Sequence, residues 1–192
     1  METKEQPKRN FVDKMAGVVY INGIIDDTIL TDVIPDLDEV VAIKSSLVDP
    51  NMKQIEFRIT SNGGDCYILL ALLDIIKEAK NNGIIIRTNI RGYADSCASM
   101  LAICGTKGFR SCGLYSRSVV HHFSGARYIS TEGEIDRVYK NQKRLGKNIK
   151  DMYLENTKLK SKDYDDIMAC DHYEMDAQEM LKRGFVDFIV GA

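Results

Sequence analysis

Strands and helices alternate along this chain, and glycines mark the joints between them. Together these predict an α/β domain with mainly parallel strand pairing. Residues 55–60 alternate as a strand, followed by Ser61-Asn62-Gly63-Gly64 and a segment apolar at Leu69, Leu72, Leu73 and Ile76, one face of a helix. The same order recurs: an apolar strand over 84–90, a glycine turn at Gly92, and a helix from about Ser96 to Ile103. At 192 residues the chain is long enough for one domain with a sizeable core, and no linker divides it.

Each element has its own signal. Residues 1–15 are polar and without period, so 1–16 are expected to be a flexible leader ahead of a single domain over 17–192. Residues 18–25 read as a strand with a glycine break, and 31–47 have helical spacing at Val33, Leu37, Val40, Val41 and Ile43. Asp49-Pro50-Asn51 marks a turn, Ser61-Asn62-Gly63-Gly64 is expected to be a tight turn, and Asn81-Asn82-Gly83 ends the second helix. Gly105-Thr106-Lys107-Gly108 is a loop, and Ser118-Val119-Val120-His121 a short buried strand. Residues 131–156 form a long amphipathic helix with its cap at Ser130 or Thr131. Its stripe of Ile135, Val138, Leu145, Ile149 and Met152 is interrupted by Gln142 and suits a helix–helix interface between subunits, with packing on its own domain as the alternative. Gly133 and Gly146 weaken that helix by about 1 kcal/mol each. A capped helix from Asp176 to Lys182, a stop at Gly184 and a strand over 185–190 close the chain.

Composition excludes several functions. The 26 basic and 28 acidic residues give a net charge of −2 with no basic cluster, which argues against nucleic acid as partner. No apolar run reaches membrane-spanning length and residues 1–7 do not read as a signal peptide, so a cytoplasmic protein is expected. The five cysteines are odd in number and lack CxxC spacing; they read as reduced core thiols, with no metal or cofactor implied. Neither GxxxxGK[ST] nor GxGxxG occurs, which disfavours nucleotide binding.

The segment Arg91-Gly92-Tyr93-Ala94-Asp95-Ser96-Cys97-Ala98 puts a serine at the start of an apolar helix. Unpaired N–H groups and the positive end of the helix dipole lie there, and both assist a nucleophile that must generate an oxyanion. Ser96 is equally well placed to be a helix cap. A hydrolytic serine needs a histidine as base and an acid to orient it. The chain offers His121 at the end of an apolar strand, His122, and His172 beside Asp171. Gly63-Gly64 allows close backbone approach, so Gly64 N–H and the N–H after the serine, that of Cys97, could hold an oxyanion.

These residues together resemble the ClpP family, the proteolytic subunit of the Clp protease. Thr60-Ser61-Asn62-Gly63-Gly64 is similar to its Asn-Ser-Pro-Gly-Gly turn, and Gly92-Tyr93-Ala94-Asp95-Ser96-Cys97-Ala98 to its Gly-Gln-Ala-Ala-Ser-Met-Gly motif. Gly105-Thr106-Lys107-Gly108-Phe109-Arg110 resembles Gly-x-x-Gly-x-Arg, and Ser116-Arg117-Ser118-Val119-Val120-His121-His122 resembles Ser-Arg-Val-Met-Ile-His-Gln. Asp171-His172-Tyr173, Ala177, Glu179 and Gly184-Phe185-Val186-Asp187 match the closing stretch, with one inserted residue assumed near Glu174. Order and spacing agree from about residue 18 to 190.

The resemblance implies a crotonase-like repeated ββα spiral with a long C-terminal handle helix. It implies a serine endopeptidase with Ser96 as nucleophile, His121 as base, Asp171 as orienting acid, and oxyanion donors at Gly64 and Cys97. Asp165, Asp166 and Asp176 are weaker candidates for the acid. Peptides or unfolded proteins would be cut inside a homo-oligomeric chamber of two stacked heptameric rings, with an AAA+ unfoldase as candidate partner. The family's longer N-terminal region meets that unfoldase, and here about seventeen residues precede the first strand. Alternatives are a phage-type protease that processes capsid and scaffold proteins, a noncatalytic ring subunit, and a crotonase-type acyl-CoA enzyme. Asp95 beside the serine departs from the family motif.

Overall fold

Three long parallel strands carry the molecule: β2 (Val18–Ile25), β3 (Gln54–Gly64) and β4 (Ile85–Ala94). The computed structural model describes residues 8–122 and 132–191, with side chains of the last helices from residue 137. Strand β3 buries every second residue, Ile55, Phe57, Ile59 and Ser61, as the period-2 pattern requires. The main sheet runs β1-β2-β3-β4-β5-β8, with β1 (Phe11–Asp13), β5 (Arg110–Gly113) and β8 (Phe188–Val190). A branch leaves β4 at Tyr93, where Arg117 of β6 (Arg117–Val120) pairs in parallel; β7 (Tyr173–Asp176) then pairs antiparallel with β6. Strand β4 therefore forks, and the chain just past the fork is the site described below.

Seven helices are present among the described residues: α1 (Thr28–Asp32), α2 (Ile34–Ser46), α3 (Cys66–Asn81), α4 (Cys97–Ile103), α5 (Glu132–Asn156), α6 (Ser161–Met168) and α7 (Ala177–Arg183). Helix α3 starts where the Asp65 carboxylate accepts the N–H groups of Tyr67 and Ile68, and it buries Leu69, Leu72 and Ile76. Each such side chain contributes roughly 1.5–3 kcal/mol. All seven residues of α4 are buried, which its small side chains permit. Helix α7 has Asp176 as cap and stops at Gly184, φ 76°.

Several expectations change. The leader over 1–16 is not free at its end: Phe11–Asp13 pair with residues 18–20, and Asn10 is buried, donating to the Ile24 carbonyl and accepting the Asn22 N–H. Ser61-Asn62-Gly63-Gly64 is no tight turn but the extended end of β3, in register with Ile24 and Ile25. It needs glycine because a Cβ at Gly64 would run into the Ile25 carbonyl, and one at Gly63 would lie 2.7 Å from Ser96 Cβ. The helix expected over 31–47 begins earlier, as α1 and α2. The cap expected at Ser130 or Thr131 lies outside the described residues. On α5, Leu145 and Ile149 are buried together with Tyr153, which the apolar stripe omitted; this half packs on its own domain.

Candidate active site

The backbone of Ser96 has φ 55° and ψ −129°, the one positive φ outside glycine among the described residues. A side-chain-bearing residue held there stores about 1–3 kcal/mol of strain. The conformation follows from what flanks it. Asp95 N–H is tied back to the Ser61 carbonyl at 2.8 Å, Ser96 N–H to the Val119 carbonyl at 2.7 Å, and α4 begins at the next residue. The chain must turn from strand to helix within two residues, Asp95 and Ser96. Such a sharp turn lifts a serine hydroxyl clear of its own backbone. Ser96 makes no capping hydrogen bond to α4, which removes the cap reading.

Ser96 lines a cavity of about 280 Å³ together with His121, Gly64 and Cys97. The structure thus gathers four of the five residues expected from the sequence. His121 follows the last residue of β6, and its Nδ1 lies 2.7 Å from the His122 carbonyl oxygen. A carbonyl can only accept, so Nδ1 is the donor, which in the neutral ring leaves the lone pair on Nε2, the form a general base requires. No hydrogen bond joins Ser96 Oγ to His121 among the described residues. Cys97, as first residue of α4, has an N–H without an intrahelical acceptor.

The fifth residue, Asp171, stands elsewhere. It is exposed, and among the described residues its carboxylate has no hydrogen bond or ion pair with His121 or any other group. The cause is register. Strands β6 and β7 pair Val120 with Tyr173 and Val119 with Glu174 without a bulge, so the insertion assumed near Glu174 is not taken up there. One step outward, His172 and not Asp171 comes opposite His121, with ring centroids 5.6 Å apart. Asp165 pairs with Lys150 instead, and Asp176 caps α7.

Two features escaped the sequence reading. Cys66 and Cys97, at the starts of α3 and α4, both line the cavity. Interaction with Cys97 pulls the Cys66 thiol below its ordinary pKa, and interaction with Cys66, together with burial, pushes Cys97 well above it. Met100, Ile149, Tyr153, Tyr164 and Met168 also line the cavity and give it an apolar part. Tyr153 is buried, and its hydroxyl is 2.7 Å from Ser99 Oγ, which itself donates to the Ser96 carbonyl. Lone-position patterns on α4 and α5 could not have paired these two hydroxyls.

A strained serine between strand and helix, an imidazole in the same cavity and backbone N–H groups beside it thus lie together in an α/β protein. A family model described as Clp protease matches residues 7–192, and the chain belongs to that family of peptidases. It is 26% identical over 178 residues to the ATP-dependent Clp protease proteolytic subunit of Streptococcus uberis, covering 90% of this chain and 84% of that one. Identity to the subunit of the same description from Carsonella ruddii is 29% over 178 residues, covering 90% and 83%. With that of Bacteroides fragilis it is 28% over 145 residues, covering 74% and 66%. No described helix is long and apolar enough to cross a membrane.

Proposed function

We propose that this chain is a serine endopeptidase, with Ser96 as nucleophile and His121 as general base. The observation that carries the reading is the strained Ser96 backbone in one cavity with His121. Ser96 Oγ attacks the scissile carbonyl carbon while His121 Nε2 takes its proton. The oxyanion is held by the N–H groups of Gly64 and Cys97. On collapse the C–N bond breaks, His121 gives the proton to the leaving amine, and an acyl-serine remains. Water, deprotonated by His121, attacks that ester and releases the acid and the serine. Asp171 is left outside this reacting set.

The apolar part of the cavity lining favours an apolar residue beside the cut bond. Substrates are peptides or unfolded proteins, bound as an added strand beside the site. In keeping with its relatives' description as proteolytic subunits, the chain assembles with copies of itself into stacked heptameric rings, fed by an AAA+ unfoldase. A fluorophosphonate probe tests the chemistry. Wild type is expected to be labelled, with labelling lost in Ser96→Ala and reduced on the order of a hundredfold or more in His121→Ala. An assembled, folded wild type that takes no label would overturn the reading.

A further inference from the structure

The reaction above gives Asp95 nothing to do, although it adjoins the nucleophile. Its side chain is only 14% exposed. Oδ1 accepts the Val119 N–H at 3.0 Å, and Oδ2 lies 3.3 Å from Arg117 Nη2. From the other side, Ser96 N–H donates to the Val119 carbonyl at 2.7 Å. Two consecutive residues therefore grip both polar backbone groups of Val119, and Val119 stands two residues before His121.

The fork in the sheet explains why a side chain is needed. Strand pairing between β4 and β6 is confined to Tyr93 and Arg117. The Ala94 carbonyl, last of β4, accepts the Ser118 hydroxyl, and beyond it the chain swings into the Ser96 turn, so the next N–H of β6, that of Val119, goes to a side chain instead. Val119 is buried, and a buried N–H without an acceptor is strongly unfavourable. The Asp95 carboxylate takes the place of the missing carbonyl and extends the ladder by one rung. Arg117 holds the second carboxylate oxygen, lies over the Tyr93 ring and reaches Glu174 of β7 at 3.9 Å. The rung thus ties together the strand before the serine, the strand before the histidine, and the strand behind that histidine.

We propose that Asp95 is a positioning residue of the peptidase site: its carboxylate clamps β6 to the nucleophile turn and so sets His121 against Ser96. The proposal rests on the serine-peptidase reading. Burial raises the Asp95 pKa, against the pull of Arg117 and the Val119 N–H. The anion is therefore held at some expense to the fold, as is common where a residue serves activity more than stability.

The test compares Asp95→Ala, Asp95→Leu and Asp95→Asn in the full chain. It reads the rate of fluorophosphonate labelling, kcat and KM on a short fluorogenic peptide, and Tm. In whichever of the alanine and leucine variants folds, labelling rate and kcat should fall on the order of ten- to a hundredfold at unchanged KM. Asp95→Asn keeps an oxygen acceptor for Val119, so it should recover most of that loss, with a Tm no lower than wild type. A folded alanine or leucine variant within twofold of wild type overturns the proposal. So does an asparagine variant that loses activity and Tm together, because that marks a merely structural residue. If wild type itself takes no label and cleaves nothing, the peptidase reading has failed, and the clamp falls with it. A labelled wild type beside an unaffected alanine variant refutes the clamp alone.

Discussion

His121 faces an imidazole where a carboxylate would serve it better. In the proposed reaction Ser96 gives its proton to His121 and the ring becomes a cation, which a neighbouring anion stabilises and a second imidazole does only weakly. Asp171 lies one residue away from the position opposite His121, beyond the last β6–β7 pair. Asp171→Asn is therefore expected to keep kcat within about threefold of wild type, whereas His121→Ala loses on the order of a hundredfold or more. His172→Asp should instead raise kcat, by about tenfold for each 1.4 kcal/mol of added stabilisation. Steady-state peptide hydrolysis reads both. A collapse of kcat in Asp171→Asn, or a His172→Asp variant no faster than wild type, contradicts this assignment. That Ser96, His121, Gly64 and Cys97 would share one cavity was legible in the sequence, because each sits in a local motif with its own chemistry. The position of Asp171 was not, because register between strands more than fifty residues apart decides it.

Among the elements, β5 and β8 are joined by one buried ion pair. Arg110 is 4% exposed and holds Asp187 through Nη2 to Oδ1 at 2.6 Å and Nε to Oδ2 at 3.0 Å. Its Nη1 also donates to the carbonyl of Asn156 at the end of α5, and the Gly108 N–H donates to Asp187 at 2.7 Å. Removing the carboxylate strands a buried guanidinium, so Asp187→Asn should destabilise by about 3–5 kcal/mol. Burial pushes the Asp187 carboxyl up, but the Arg110 hydrogen bonds outweigh it and leave its pKa below the ordinary value. A depressed carboxylate stabilises the fold above the unfolded pKa, about 3.9 for aspartate, and loses that contribution as pH falls through the folded value. Wild-type Tm should therefore drop on acidification below about pH 4 by an amount that Asp187→Asn lacks. Equal acid sensitivity in thermal melts of the two proteins would count against the pair. The same elements show how far local pattern reaches. Strands β2, β3 and β4 each run for eight or more residues with apolar stretches that could be read directly. Strands β1, β5 and β7 have three or four residues each and exist only through their neighbours.

For the whole molecule, α5 divides into two parts with different environments. Leu145, Ile149 and Tyr153 are buried, whereas Arg137, Tyr139, Lys140, Lys143 and Arg144 are exposed and Val138 is half-buried. On the proposed ring assembly, the exposed part meets a second copy. Val138→Asp should then split the double ring without unfolding the subunit, which sedimentation and circular dichroism together can follow. A wild type that sediments as a monomer, or a Val138→Asp variant with unchanged mass, argues against that interface. The buried part has a further consequence. Ser99 spends its one proton on the Ser96 carbonyl, so the Tyr153 hydroxyl must donate to Ser99, and α5 is joined to the nucleophile by two consecutive hydrogen bonds. Linkage through such a relay runs both ways. If assembled subunits hold a peptide more tightly than free ones, an occupied cavity must favour assembly by the same factor, and the substrate becomes a ligand that promotes its own chamber.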